Sequence, residues 1–417
     1  MIKIKPFPAI IYNYSHKGCQ PRKVICPPYD IIMPVEAESY RRFSPYNMIH
    51  LTLPVKSSGL NRYKASALLF RHFMDRQVFY QESQPVIYCY QQEFKESGGR
   101  FKRLGFIACL GLSDSSSIHG HEHTRIEPKE DRFKLLVNVQ ANLEPIFVLF
   151  SDQKRTIRDI FKKHIHSSKP LISFRDRENN TNMLWRLTNP DVLRQIEKGM
   201  ANKILFIADG HHRYEVSLNY QSLMRQKLNT AFKGKEDFNY IMAYFCPLES
   251  SGLVVRPVHR LVRRIDSLPM DKFSKFFYIR KASRDSLFRL MGSPTSKQRI
   301  FGIYFNRNFY IFTLKNSQIL GKIDKDYRPL DISLLNQLIL KRLLRVDPDN
   351  KERVVFSADT QSLIRQANID KASLVFFMKP VKISNIISLA RTGKKMPAKT
   401  TYFYPKVPSG LAIYKFS

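Results

Sequence analysis

Within five residues, Asp209-Gly210-His211-His212-Arg213, this chain places a carboxylate, a glycine, two imidazoles and a guanidinium. An apolar run, 204–208, precedes them, as a buried strand would. Tyr214, Leu218 and Leu223 then recur at roughly helical spacing. The polar group therefore falls where a strand ends and a helix begins. Gly210 can take the backbone angles such a turn requires. A helix N-terminus offers N–H groups and the positive end of the dipole, which suits an anion and above all a phosphate. Gly210, His211 and His212 would supply the backbone cradle, and Arg213 a forked cation for phosphate oxygens. Asp209 would hold Mg²⁺ or orient a hydroxyl. The plainer reading is a strand-to-helix connection with Asp209 as its cap.

A second polar stretch, 118–136, holds His119, His121, Glu122, His123, Lys129, Asp131 and Arg132. It lacks apolar periodicity and reads as a loop, a common location for catalytic groups. Alternating His119, His121 and His123 would share one face of a strand as a metal set, or simply face solvent. Upstream, Pro27 and Pro28 fix an extended path that presents Tyr29 and Asp30 rigidly. Asp30 could equally close an Asx turn. The chain lacks GxxxxGKS/T, GxGxxG, HExxH and GxSxG patterns. With only 16 glycines, a phosphate site here must use a helix N-terminus and basic side chains.

These groups need a scaffold, and the sequence predicts one of mixed type. Strands are expected over 2–11, 48–54, 141–150, 238–247, 252–257 and 374–378. Hairpins are expected over 85–94 with 100–112, turning at Ser97-Gly98-Gly99, and over 298–305 with 309–314. Helices are expected over 60–79, 152–166, 190–199, 330–344 and 360–366. Pro397, Pro405 and Pro408 rule out a helix in the C-terminal stretch. Without a strict βαβ rhythm the fold class is α+β, with mixed sheets and a strand–turn–helix anion site. An N-terminal domain over 1–265 and a smaller α+β C-terminal domain over 266–417 are expected.

Hydrophobic residues make up 43% of the 417, which excludes a disordered chain. Lys and Arg total 69 against 35 Asp and Glu, a net charge of +34. Such an excess suits nucleic acid, an anionic membrane surface or small anionic substrates, or reflects a basic proteome. The cations form only short clusters, such as Arg260-Leu261-Val262-Arg263-Arg264 and Lys394-Lys395, and no zinc-finger, RRM or KH signature accompanies them. Nucleic-acid binding is therefore expected to be weak. Five scattered Cys without a CxxC pair fit a reducing compartment. No apolar stretch approaches a membrane span, so the cytoplasm is the expectation.

VICPPYDII (24–32), NMIHLTLP (47–54), HEHT (121–124), PKEDRFKLL (128–136), ANLEPIFVLF (141–150), ADGHHRYE (208–215), RPVHRLV (256–262) and MPAKTTYFYPKVPSGL (396–411) run through the chain in order. In these segments it resembles a bacterial family of uncharacterised conserved proteins, domain of unknown function one thousand and fifteen. Cys26 and Val258 stand where that family's pattern expects other residues. DGHHR is also similar to the strand–turn–helix phosphate motif of the ParB and sulfiredoxin superfamily. That group includes CTP-hydrolysing partition proteins and kinases of free serine. The second resemblance implies nucleotide phosphates at the turn and an upstream acid as base, here Glu122 or Asp30.

The resulting expectation is a nucleotide-dependent small-molecule phosphotransferase using ATP or ADP with Mg²⁺ on a small anionic or phosphorylated substrate. Glu122 and Asp209 would be catalytic, and Lys129, Arg132 and Lys399 would contact anions beside the turn. Arg256 and His259 would border the same pocket. A nucleotide-gated nucleic-acid-binding protein of partition type, and a non-catalytic interaction protein, are the alternatives.

Overall fold

In the first unit, strands rich in β-branched and aromatic residues build one mixed nine-stranded sheet. They are β1 (Ile4–Lys5), β2 (Ile87–Glu96), β3 (Gly99–Gly111), β4 (Ile118–Gly120), β5 (Ile146–Phe150), β6 (Ile172–Arg175), β7 (Thr181–Leu187), β8 (Leu205–Asp209) and β9 (Tyr240–Pro247). Their order is β4-β8-β5-β9-β3-β2-β7-β6, with β1 beside β3. The computed structural model that gives this topology describes residues 1–56, 59–113, 116–292 and 298–417. The first unit comprises Met1–Val254 and Pro405–Ser417, the second Val255–Tyr404. The sequence pattern suggested one crossing near residue 265; the chain instead leaves at 254 and returns at 405.

Alternation puts Ile87, Cys89, Phe106, Ala108, Ile146, Val148, Leu205, Ile207, Ala243 and Phe245 into one core. Five helices matter to the first unit: α1 (Arg62–Asp75), α2 (Ile126–Val139), α3 (Thr156–Ser167), α4 (Pro190–Met200) and α5 (His211–Leu228). Ile157 and Phe161 of α3, and Leu193, Ile196 and Met200 of α4, close that core. Each such fully buried side chain contributes about 2 kcal/mol. Helix α2 packs against α1 and α5.

The second unit holds a six-stranded sheet: β10 (His259–Arg263), β11 (Phe277–Ala282), β12 (Ile300–Phe305), β13 (Asn308–Leu314), β14 (Val354–Ser357) and β15 (Ser373–Phe377). Its order is β11-β13-β12-β15-β10-β14, antiparallel throughout. Helices α6 (Arg284–Gly292) and α7 (Thr360–Ile369) place Leu287, Met291, Leu363 and Ala367 on Leu261, Ile300, Tyr304, Ile311, Val375 and Phe377. Sheets and helices thus mix without a βαβ repeat, and the class is α+β.

Two local expectations are corrected. Within 48–54, Ile49–Thr52 form a helical turn, and Asn47 Oδ1 accepts from the Ile49 N–H at 3.0 Å just before it, a local bond that favours a turn over a strand. The stretch 118–136 is mostly β4 and α2, not a loop. Along α2 only Arg132, Leu135, Leu136 and Val139 are buried, so the apolar period starts too late to be seen. The stretch 330–344 is helical, yet Leu335–Leu343 is wound as a π-helix. All five cysteines are buried and unbonded. No described helix is long and apolar enough to cross a membrane.

Candidate functional site

Strand β8 delivers Asp209, and Gly210 opens α5. The pairing of β8 with β5 shifts register between Ile207 and Asp209, a bulge that re-aims the strand's last residue. Gly210 sits at φ +89°, and a Cβ there would stand 2.8 Å from Ile146 Cγ2 and 3.1 Å from Arg213 Nε. Only glycine fits both the angle and the space. The expected strand–turn–helix is therefore present, and the helix is 18 residues long.

Asp209 does not cap α5; its N-cap is Gly210, without a side-chain hydrogen bond. One Asp209 oxygen takes Lys406 Nζ, and the other takes Arg213 Nη2 at 3.0 Å. The three side chains are only 15%, 8% and 11% exposed. One buried carboxylate thus holds two buried cations at the helix start. Arg213 Nη1 donates to the Pro145 carbonyl, and its Nε is buried with no hydrogen-bond partner. Burial works against the guanidinium charge, but Glu144, Asp209, Asp30 and Tyr29 outweigh it and raise the Arg213 pKa.

With both oxygens committed to cations, Asp209 does not offer the donor set Mg²⁺ needs. Among the described residues no group of three or more His, Cys, Asp or Glu is placed to hold a metal ion. The His119, His121, His123 set is divided accordingly. His119 stacks on Phe206 at 5.5 Å, His121 is buried and His123 is exposed. Burial pushes the His121 imidazole down to about 4.

The paired imidazoles of the turn bond to the segment before α2. His211 Nε2 accepts from the His121 N–H at 3.1 Å, and His212 Nε2 from the Arg125 N–H at 2.9 Å. Both acceptor nitrogens must therefore be unprotonated. One turn on, Glu215 Oε2 accepts from Thr124 Oγ1 at 2.5 Å and Lys129 Nζ at 3.1 Å. The start of α5 thus fixes the segment 121–125, and with it Glu122, alongside the turn.

Arg132 lies on α2 and is 6% exposed. It donates to the Thr52 carbonyl at 2.6 Å and to Asp131, and its guanidinium lies 4.1 Å from the Tyr29 ring centroid. Asp131 also receives Tyr63 and Arg62. Burial would raise its pKa, but these donors hold it below the usual value. Arg132 and Arg213 meet at a cavity of about 50 Å³, lined also by Thr52, Glu144 and Ser217. That space suits a few water-sized groups, not a nucleotide.

Lys399 lies in the second unit, where its carbonyl accepts from Arg260 Nη2 at 2.9 Å. His259 there accepts from the Met378 N–H at 3.0 Å, and Arg256 stacks on Tyr404 at 3.2 Å.

Sequence reasoning missed Lys406 and Glu144. Lys406 sits only seven residues beyond Lys399, the cation preferred from the same motif. The signal for it is Arg103, a fully buried arginine inside a strand. Arg103 Nη2 donates to the Pro405 carbonyl and to Gln92 Oε1, and Gln92 Nε2 donates to the Lys406 carbonyl at 3.1 Å. These bonds anchor the returning chain so that Lys406 reaches Asp209. Glu144 accepts from the Tyr29 N–H at 3.0 Å and Ser409 Oγ at 2.6 Å.

Comparison with known proteins adds a family and distant likenesses. A free serine kinase variant in complex with AMP is 11% identical at a TM-score of 0.34, covering 73% of this chain and 92% of that one. A conserved hypothetical protein from Pyrococcus furiosus is 12% identical at 0.33, covering 74% and 95%. SbnI with C-terminal truncation from Staphylococcus aureus is 8% identical at 0.37, covering 74% and 87%. At these scores the likenesses say nothing of this chain's chemistry. No curated protein matches it. A family model, "Protein of unknown function (DUF1015)", matches residues 4–333, and the chain belongs to that family.

Proposed function

We propose that the chain is a nucleotide-dependent small-molecule phosphotransferase whose phosphate site is the first turn of α5. The observation that carries this is the buried Lys406–Asp209–Arg213 group at a helix start opened by glycine. Phosphoryl transfer asks a protein mainly for charge neutralisation and positioning. Lys406 and Arg213 are held before any ligand arrives, so little order is lost on binding. A terminal phosphate of ATP or ADP would lie over Gly210, taking the helix dipole and these cations. Glu122, fixed beside the turn, would accept the proton of the acceptor hydroxyl as its oxygen attacks phosphorus. The bond from phosphorus to the bridging oxygen breaks, and the shortened nucleotide leaves with that electron pair. Asp209 acts through Lys406 and Arg213. Lys129 and Arg132 border the site from α2.

The test separates binding from transfer. Calorimetry with ATP and with ADP should show binding by the wild type, and Lys406→Met should weaken it tenfold or more. Glu122→Gln should keep that affinity while transfer to a panel of small hydroxylated acceptors falls by roughly 10²–10⁴. Equal nucleotide affinity in wild type and Lys406→Met would remove the phosphate site from this turn. Unchanged transfer in Glu122→Gln would remove the base.

A further inference from the structure

The basic excess is not shared evenly. Val255–Tyr404 carries 30 Lys and Arg against 11 Asp and Glu, a net +19 in 150 residues. The other 267 residues carry 39 against 24, a net +15. Within the second unit, one sheet edge gathers exposed cations around an exposed aromatic ring. Strand β11 is the outer strand, with β13 as its neighbour. Its Tyr278 is 65% exposed. Arg280 and Lys281 beside it, Lys275 just before the strand and Arg284 just after it are exposed as well.

Lys315 follows β13 and places its Nζ 5.1 Å from the Tyr278 ring centroid. Its own N–H donates to the Phe276 carbonyl at 2.9 Å, which fixes it at this end of the edge. Tyr278 pairs with Thr313 and Arg280 with Ile311, so ring and guanidinium share one face, two residues apart. The described ion pairs of this unit use Arg263, Arg264, Arg299 and Lys394, and none uses a cation of this edge. Uncompensated cations repel one another, and an exposed ring leaves apolar surface in water. One ligand class relieves both, a flexible polyanion that carries flat, unpaired rings.

We propose that the β11 edge binds single-stranded nucleic acid, with backbone phosphates on Lys275, Arg280 and Arg284 and one base stacked on Tyr278. A duplex hides its base faces, and an anionic membrane has none. The ring therefore favours the single strand over both.

The experiment uses the full chain and the anisotropy of a labelled oligothymidylate, across a range of salt. A duplex of the same length and phosphatidylserine vesicles compete against it. The single strand should bind best. Its affinity should fall as salt rises, with a slope of about −0.7 per neutralised phosphate. Arg280→Glu should flatten that slope by about 0.7, and Lys281→Glu, on the opposite face of the strand, should flatten it less. Tyr278→Ala should weaken binding roughly five- to hundredfold, and Tyr278→Phe should restore it. Either an absence of binding at low salt or an unchanged affinity in Tyr278→Ala overturns the proposal. Duplex or vesicles competing as well as the single strand overturns it too, leaving a nonspecific cationic edge.

Discussion

The turn at Asp209–Arg213 and the edge at β11 both gather cations, and they treat them in opposite ways. At the turn, Lys406 and Arg213 are almost fully buried and share one carboxylate. At the edge, Arg280, Lys281 and Lys315 stand in solvent. Buried charges are little screened by salt, whereas exposed ones are screened within a Debye length of about 8 Å. The turn is thus built for geometry and the edge for attraction. The residue type is the same in both, and only burial and pairing separate the two roles.

The largest expected effect breaks the buried half of that contrast. Asp209→Ala would leave Lys406 and Arg213 in the interior without the carboxylate they share. Removing one partner of a buried pair costs about 3–5 kcal/mol. Urea denaturation should show a loss of that size, and Arg280→Ala on the open edge should change stability by less than about 0.5 kcal/mol. A small loss in Asp209→Ala would mean that Glu144 and water already compensate the turn's cations.

Acid should weaken both units by the same means, which tests whether burial rather than location sets their response. Burial holds His121 in the first unit and His259 in the second down to about 4. Arg260 adds to the shift at His259. Both folded values lie below the unfolded value near 6.5, so the unfolded chain binds more protons between those limits. The stability each imidazole contributes is full above pH 6.5 and is lost as pH falls towards 4. The loss is on the order of 3 kcal/mol per group. His121→Asn should flatten the acid limb of a stability-against-pH curve for the first unit, and His259→Asn that of the second. An unaltered acid limb would assign the titration to other groups.

Gly210→Ala comes next. The added Cβ meets Ile146 and Arg213 at a φ that L-residues rarely adopt, a cost of roughly 1–3 kcal/mol. Because the clash falls on the guanidinium, nucleotide affinity should drop together with melting temperature. A variant that loses stability and keeps affinity would show that Arg213 is not a ligand contact.

Much of the turn was legible in the sequence because its signals are local. An apolar run, a glycine and a helical period lie in one short stretch, and the structure places β8, Gly210 and α5 on them. The roles of the side chains were not legible, because their partners are distant in sequence. The imidazoles of His211 and His212 accept from the N–H groups of His121 and Arg125, which lie 90 and 87 residues upstream. Asp209 resembles a metal ligand until Lys406, 197 residues away, is seen to take one of its oxygens. The helix α2 was hidden because its first turns face solvent and carry no apolar period.

Lys129 carries the smallest expected effect and the sharpest distinction. It was expected to contact an anion, and in the structure it pairs with Glu215 at 3.1 Å, with both side chains nearly a third exposed. A pair so open to water contributes less than about 1 kcal/mol. As a stability element, then, Lys129 belongs with the open edge, although it lies next to the buried turn. Lys129→Ala should leave the denaturation midpoint almost unchanged. Its effect on nucleotide affinity is then free of folding artefacts, unlike that of Asp209→Ala. A tenfold loss would make Lys129 a phosphate contact released from Glu215 on binding. An unchanged affinity would leave it as a tie between α2 and α5 and confine the anion to Lys406, Arg213 and the helix start.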